Sequence, residues 1–216
     1  MDLDYTISIL GFILQGTGVT LKVYVITLVF SIPLGILCAL GKLSSFKPLN
    51  WFLGAYTWLF RGTPLLLQLF FAYYGLPALG LELDRMSAAY VTFVINYAAY
   101  FTEIFRGGIQ SIDSGQYEAA KALGMTYAQT MRRIILPQAT KVVLPPMGNE
   151  AINLIKDTAL CAALSVPEIL RNAKVTVARD FNVEAYIIAA LIYLAFTFII
   201  IRVFRALEKR YSYYSN

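Results

Sequence analysis

The chain has 216 residues, 58% of them apolar and 14% charged, where a soluble domain carries roughly a quarter charged residues; it reads as an integral membrane protein. It contains no histidine, which excludes histidine-based catalysis and argues against a zinc site. The formal charge of +5 does not point to nucleic acid, because the basic residues sort by membrane side.

Residues 1–14 are apolar with two acids and predict a short helix lying on the membrane surface. Asp2 and Asp4 follow Met1 where a cleavable leader would carry basic residues. Residues 17–40 predict a first transmembrane helix, ending at Gly41-Lys42. A second span covers about 51–75, with a break at 61–64, and a turn over 76–84 contains Pro77 and Gly80. The third span is 86–106, and a polar loop over about 113–137 follows. The fourth begins near Pro145-Pro146, since proline is tolerated in a first turn, and reaches about 166. Residues 167–182 are charged and read as a loop. The fifth span is 183–204, followed by a basic tail. Each run is long enough to cross a bilayer. The expected fold is an all-α integral membrane protein with five transmembrane helices in one domain, 1–216. Cys38 and Cys161 both fall in apolar runs, which argues against a disulfide framework.

Five spans put the two ends on opposite faces. Eleven basic residues, from Lys42 to Arg210, then fall on one side, against Arg85, Arg171, Lys174 and Arg179 on the other. The positive-inside rule makes the first side cytoplasmic and puts the N-terminus outside. Lys22, Arg61 and Lys156 lie within spans.

The long polar interruption, 118–137 (EAAKALGMTYAQTMRRIILP), predicts two short helices around a glycine. Ser114 starts the first and Gly124 ends it, because glycine enters the left-handed cap conformation without penalty. Thr126 and Gln129 have the spacing of a capping box for the second, which Pro137 ends. Ala119, Ala120 and Ala122 are small enough to let another surface approach closely. This is the profile of a docking element; the alternative is an amphipathic connector. Glu118-Ala119-Ala120, Gly124 four residues later, and then Ile134, Leu136 and Pro137 resemble the EAA signature of ABC importer permeases. The resemblance implies a cytoplasmic loop whose first helix, with Glu118, Ala119, Ala120 and Gly124, seats in a groove on an ATPase subunit.

Three polar clusters interrupt the apolar spans, where ionisable groups are costly and normally face a bundle interior or an aqueous path. Asn96, Tyr100 and Glu103 follow i, i+4, i+7 on one face of the third helix. Asn149, Glu150, Asn153, Lys156 and Asp157 share one face of the fourth. The third cluster is Arg61-Gly62-Thr63-Pro64. There proline breaks the helix, Thr63 serves as N-cap and Pro64 as first residue of a new half-helix. Its free N–H groups and dipole suit a carboxylate, and Arg61 reinforces that preference. Charge pairs that merely hold the bundle together, and a proline kink with a snorkelling arginine, are the competing structural readings. A ligand with both a carboxylate and a positive group would place the first at Arg61 and the 63–65 helix start and the second at Glu103 with Asn96. Acids outnumber bases along the two stripes, which favours a cationic substrate.

The runs FRGTPLLLQ (60–68) and YFTEIFRGGIQSI (100–112) also resemble the polar amino-acid branch of those permeases, the histidine, arginine and glutamine type. The resemblance implies a type I ABC importer permease in the bacterial cytoplasmic (inner) membrane. Its partners would be two ATPase subunits, a second permease subunit, identical or homologous, and an extracytoplasmic amino-acid-binding protein. ATP and Mg belong to the ATPase. A P-loop around Gly41-Lys42 would need glycine at Ile36 and Ser or Thr at Leu43, so this chain is expected to hold no cofactor and no catalytic residue. A small ion-coupled transporter or channel is the alternative function. An intramembrane enzyme lacks a G-x-S-x-G turn and a cysteine near a base.

Overall fold

The structure is a computed structural model and describes residues 3–211. Among these residues the chain is entirely helices and connectors, without a strand. Helix α1 (Leu3–Gln15) meets α2 (Thr17–Leu43) at Gly16, which is itself in helical conformation. A Cβ on Gly16 would lie 2.5 Å from the Glu168 carbonyl carbon, so only glycine allows this close crossing. Helix α3 (Lys47–Gly62) stops at Thr63-Pro64, and α4 (Leu65–Phe70) continues through a π turn and a 3-10 turn to Leu79. Asp84 caps α5 (Arg85–Gln110) by accepting from the Ser87 N–H.

Helix α6 (Ser114–Ala122) is capped by Asp113, one residue before the expected Ser114. Gly124 follows in the left-handed region at φ +71°. Helix α7 (Tyr127–Thr130) has the expected capping box, with Thr126 and Gln129 each bonding the other's backbone N–H. It does not end at Pro137. A π turn, Met131–Ile135, leads directly into α8 (Leu136–Asp157), with Pro137 in the first turn of α8. The proline has no N–H to give and crowds the preceding carbonyls, and the wider π turn accommodates it. Pro145 and Pro146, expected to start the fourth span, instead lie inside α8.

A 3-10 stretch, Thr158–Leu164, follows. Residues 167–182, expected to be a loop, contain helix α9 (Ile169–Asp180). Glu168 starts it, its carboxylate accepting from the Leu170 and Arg171 N–H groups. Helix α10 (Glu184–Tyr211) takes in much of the expected basic tail; the rest lies outside the described residues.

Helix α5 is the centre of the packing. Phe93, Tyr97 and Phe101 are buried along it against Val23 of α2, Leu69 of α4 and Leu154 of α8. Gly35 of α2 meets the Phe101 side chain so closely that an added Cβ would stand 2.7 Å from it. Buried Ala88, Ala89, Ala98 and Ala99 complete α5 as a small-residue packing helix. A second apolar cluster joins Ile9 and Ile13 of α1 to Ile169 and Ala173 of α9 and Ala185 and Ala189 of α10. By length and composition, Leu3–Leu43 and Glu184–Tyr211 are long and apolar enough to cross a membrane.

Candidate functional site

The break between α3 and α4 is built as the proline dictates, displaced by one residue from the sequence expectation. Pro64 forces Thr63 into extended backbone (φ −118°, ψ 148°), and Pro64, not Thr63, is the N-cap of α4. The Thr63 hydroxyl does not cap α4: it donates back to the Leu59 carbonyl (2.8 Å) and accepts from Gln68 Nε2 (2.7 Å). Breaking a helix orphans its last carbonyls, and Gln68 reaches back to two of them, Phe60 O (3.0 Å) and Thr63 O (3.1 Å). Asn96 of α5 donates to Phe60 O (2.9 Å) and to Gln68 Oε1 (3.0 Å), clamping the break against α5.

Beside this clamp is an open cavity of about 560 Å³, within the size range of small-molecule sites. Of the residues singled out in the sequence, Thr63, Asn96, Tyr100, Glu150, Asn153, Lys156 and Asp157 line it, and Asn149 does not. Leu65 and Leu66, whose N–H groups have no intrahelical acceptor, form part of the wall. The helical periodicity therefore gathers the α5 and α8 stripes and the start of α4 around one space. Tyr97, which the stripe argument passed over, also lines the cavity, and its hydroxyl donates to Asp157 Oδ2 (2.7 Å). A buried tyrosine hydroxyl needs a partner, and that requirement was the available signal.

Arg61 and Glu103 do not line the cavity. The Glu103 carboxylate is engaged within the chain. Lys42 Nζ donates to Oε1, while Arg106 donates to Oε2 from Nε (3.0 Å) and Nη2 (2.7 Å). Lys42 also donates to Thr57 Oγ1 of α3 (2.9 Å). Arg61 Nη1 stands 4.0 Å from Glu103 Oε2, and its guanidinium lies over the Tyr100 ring, 5.4 Å from the centroid. In sequence, Lys42 at a helix end reads as an ordinary inside-face lysine; its pairing depends on how α2 lies against α5.

The 118–124 segment is presented outward. Glu118, Ala119 and Gly124 are exposed, while Ala120 is buried against the chain's own helices. The Gly124 N–H bonds Lys121 O (3.0 Å) and the Met125 N–H bonds Ala120 O (3.0 Å). This is the reciprocal pattern of a Schellman cap, so the end of α6 is rigidly defined.

Residues 31–213 match the model of the family described as the binding-protein-dependent transport system inner membrane component. The arginine transport system permease protein ArtQ of Bacillus subtilis is 42% identical over 97% of this chain and 98% of its own. The L-cystine transport system permease protein TcyB of the same organism is 38% identical over 92% of this chain and 86% of its own. Among solved structures, an amino acid ABC transporter with histidines is 36% identical, with a TM-score of 0.90 over 97% of this chain and 99% of that one. The MetNI methionine ABC transporter shares the fold at 16% identity, with a TM-score of 0.71 over 98% and 99%. The chain belongs to the inner-membrane-component family of binding-protein-dependent transport systems and is the permease component of an amino-acid ABC importer, not an enzyme.

Proposed function

We propose that the importer carries polar amino acids, with a preference for cationic ones such as arginine, lysine and histidine, through the α5–α8 cavity. The observation that carries this reading is the charge of the wall: Glu150 and Asp157 against Lys156 alone. Glu150 and Asp157 would receive the positive side chain. The Leu65–Leu66 helix start, with Arg61 brought in from its place over Tyr100, would hold the carboxylate. Unpaired charge in such surroundings is expensive, so each end of the amino acid needs its own partner. The arginine permease and the transporter with histidines support this choice among relatives that also include a cystine permease.

In the same proposal, α2, α3–α4, α5, α8 and α10 are five spans of one domain over 1–216, with the N-terminus outside and the C-terminus cytoplasmic. Glu118, Ala119 and Gly124 form the face that two ATPase subunits drive, and the buried Ala120 seats that segment on the permease itself; ATP and Mg belong to the ATPase subunits. A second permease chain and an extracytoplasmic binding protein complete the assembly in the bacterial inner membrane. The permease–ATPase complex in nanodiscs tests the substrate class directly, by equilibrium dialysis against labelled arginine and labelled glutamine. Arginine should bind about ten-fold tighter or more, because a buried charge partner is worth a few kcal/mol. Equal affinities would contradict the cationic preference.

A further inference from the structure

Three cations from three helices converge on one carboxylate: Lys42 of α2, Arg61 of α3 and Arg106 of α5 on Glu103. They do not share it equally. Lys42 holds Oε1 and Arg106 holds Oε2 with two N–H groups. Arg61 is left at 4.0 Å, too far for a hydrogen bond. Its side chain is 43% exposed, against 14% for Lys42 and Glu103. What holds Arg61 is the face of Tyr100, a wall residue of the cavity.

Each Glu103 oxygen is thus held by one of the other two cations, and the loosely held guanidinium rests on Tyr100 of the cavity wall. A charge-assisted hydrogen bond from arginine to a carboxylate oxygen is stronger than a guanidinium resting on an aromatic ring. An unoccupied Glu103 oxygen would therefore draw Arg61 away from the cavity. Arg106 is fixed beside Glu103 by its place one turn along the same helix. Lys42 comes from a different helix and is additionally seated by Thr57.

We propose that Lys42 is a positioning residue for Arg61: by occupying Glu103 Oε1 it keeps Glu103 from capturing the Arg61 guanidinium, and so leaves Arg61 available to the carboxylate of the transported amino acid. This rests on the reading above that Arg61 serves the carboxylate.

The test is a set of variants of the permease–ATPase complex in nanodiscs, with labelled arginine as the probe in equilibrium dialysis. Lys42→Met should weaken binding by about five- to ten-fold, and adding Glu103→Gln should restore it to within about two-fold of the parent. Lys42→Arg, which still fills Oε1, should bind like the parent. In an Arg61→Gln complex, Lys42→Met should change nothing further, whereas a general loss of positive charge would still be felt there. Lys42→Gln, which removes the charge but keeps a polar side chain, serves if Lys42→Met does not assemble. Parental affinity in Lys42→Met, no recovery with Glu103→Gln, or an undiminished effect in the Arg61→Gln complex would each overturn the proposal. Parental affinity in Arg61→Gln alone would instead remove the carboxylate assignment on which it rests.

Discussion

Glu168 is completely buried, and the groups on its carboxylate are neutral donors: the Tyr193 hydroxyl (2.7 Å) and the Leu170 and Arg171 N–H groups. Burial outweighs these donors and holds its pKa above the ordinary value. The folded chain therefore keeps this proton to a higher pH than the unfolded chain, where a glutamate titrates near ~4.3. The favourable contribution of the protonated group is fully present below that unfolded value and is lost as pH rises through the folded one. Thermal unfolding of the purified permease and of Glu168→Gln, measured at steps between low and neutral pH, reads this directly. The variant should gain on the parent as pH rises through the folded value. A difference that stays constant with pH would contradict the burial argument.

In the proposed function, helix α6 and its glycine end form the element on which coupling depends. At Gly124 the obstacle to a larger residue is the backbone, not space: φ is +71° and nothing lies within 4 Å of an added Cβ. Gly124→Val forces a β-branched residue into the left-handed region, costing about 1–2 kcal/mol or more. It should largely abolish substrate-stimulated ATP hydrolysis by the assembled complex while the chain still inserts; full stimulation would exclude α6 as the lever. Elements of this kind were legible in the sequence because their causes are local: the Thr126–Gln129 box, the Gly124 end, the break at Pro64. The same local rules failed where the surroundings decide. Pro137, Pro145 and Pro146 read as boundaries, yet a π turn and packing on α5 and α10 carry the helix through them. Helix α9 looked like a loop because its start depends on burying Glu168, which no local pattern reveals. That Asn96, Asn153 and Asp157 would face one common space was legible from helical periodicity, and they line the cavity. The Lys42–Glu103 pair was not, because its partners are 61 residues apart and meet only once α2 packs on α5.

At the scale of the whole molecule, α5 organises two tasks at once. One face carries Phe93, Tyr97 and Phe101 into the core; Asn96 and Tyr100 line the cavity, and Glu103 gathers the charges of α2 and α3. Helix α8 supplies the acids on the cavity wall and runs back, through the π turn, to α7 and the exposed α6 segment. In the proposed function, a displacement of α6 by a partner would pass through the turn at Gly124 and Thr126 into α7 and along α8 to Glu150 and Asp157. The central claim is that these acids receive the positive side chain of the substrate. The measurement that tests it most directly is uptake of labelled arginine and labelled glutamine by Asp157→Asn in the complete importer, reconstituted in proteoliposomes with its ATPase and binding protein. Arginine uptake should fall about ten-fold or more and glutamine uptake far less, since only arginine loses a charge partner. Unchanged rates, or an equal fall for both amino acids, would contradict the account.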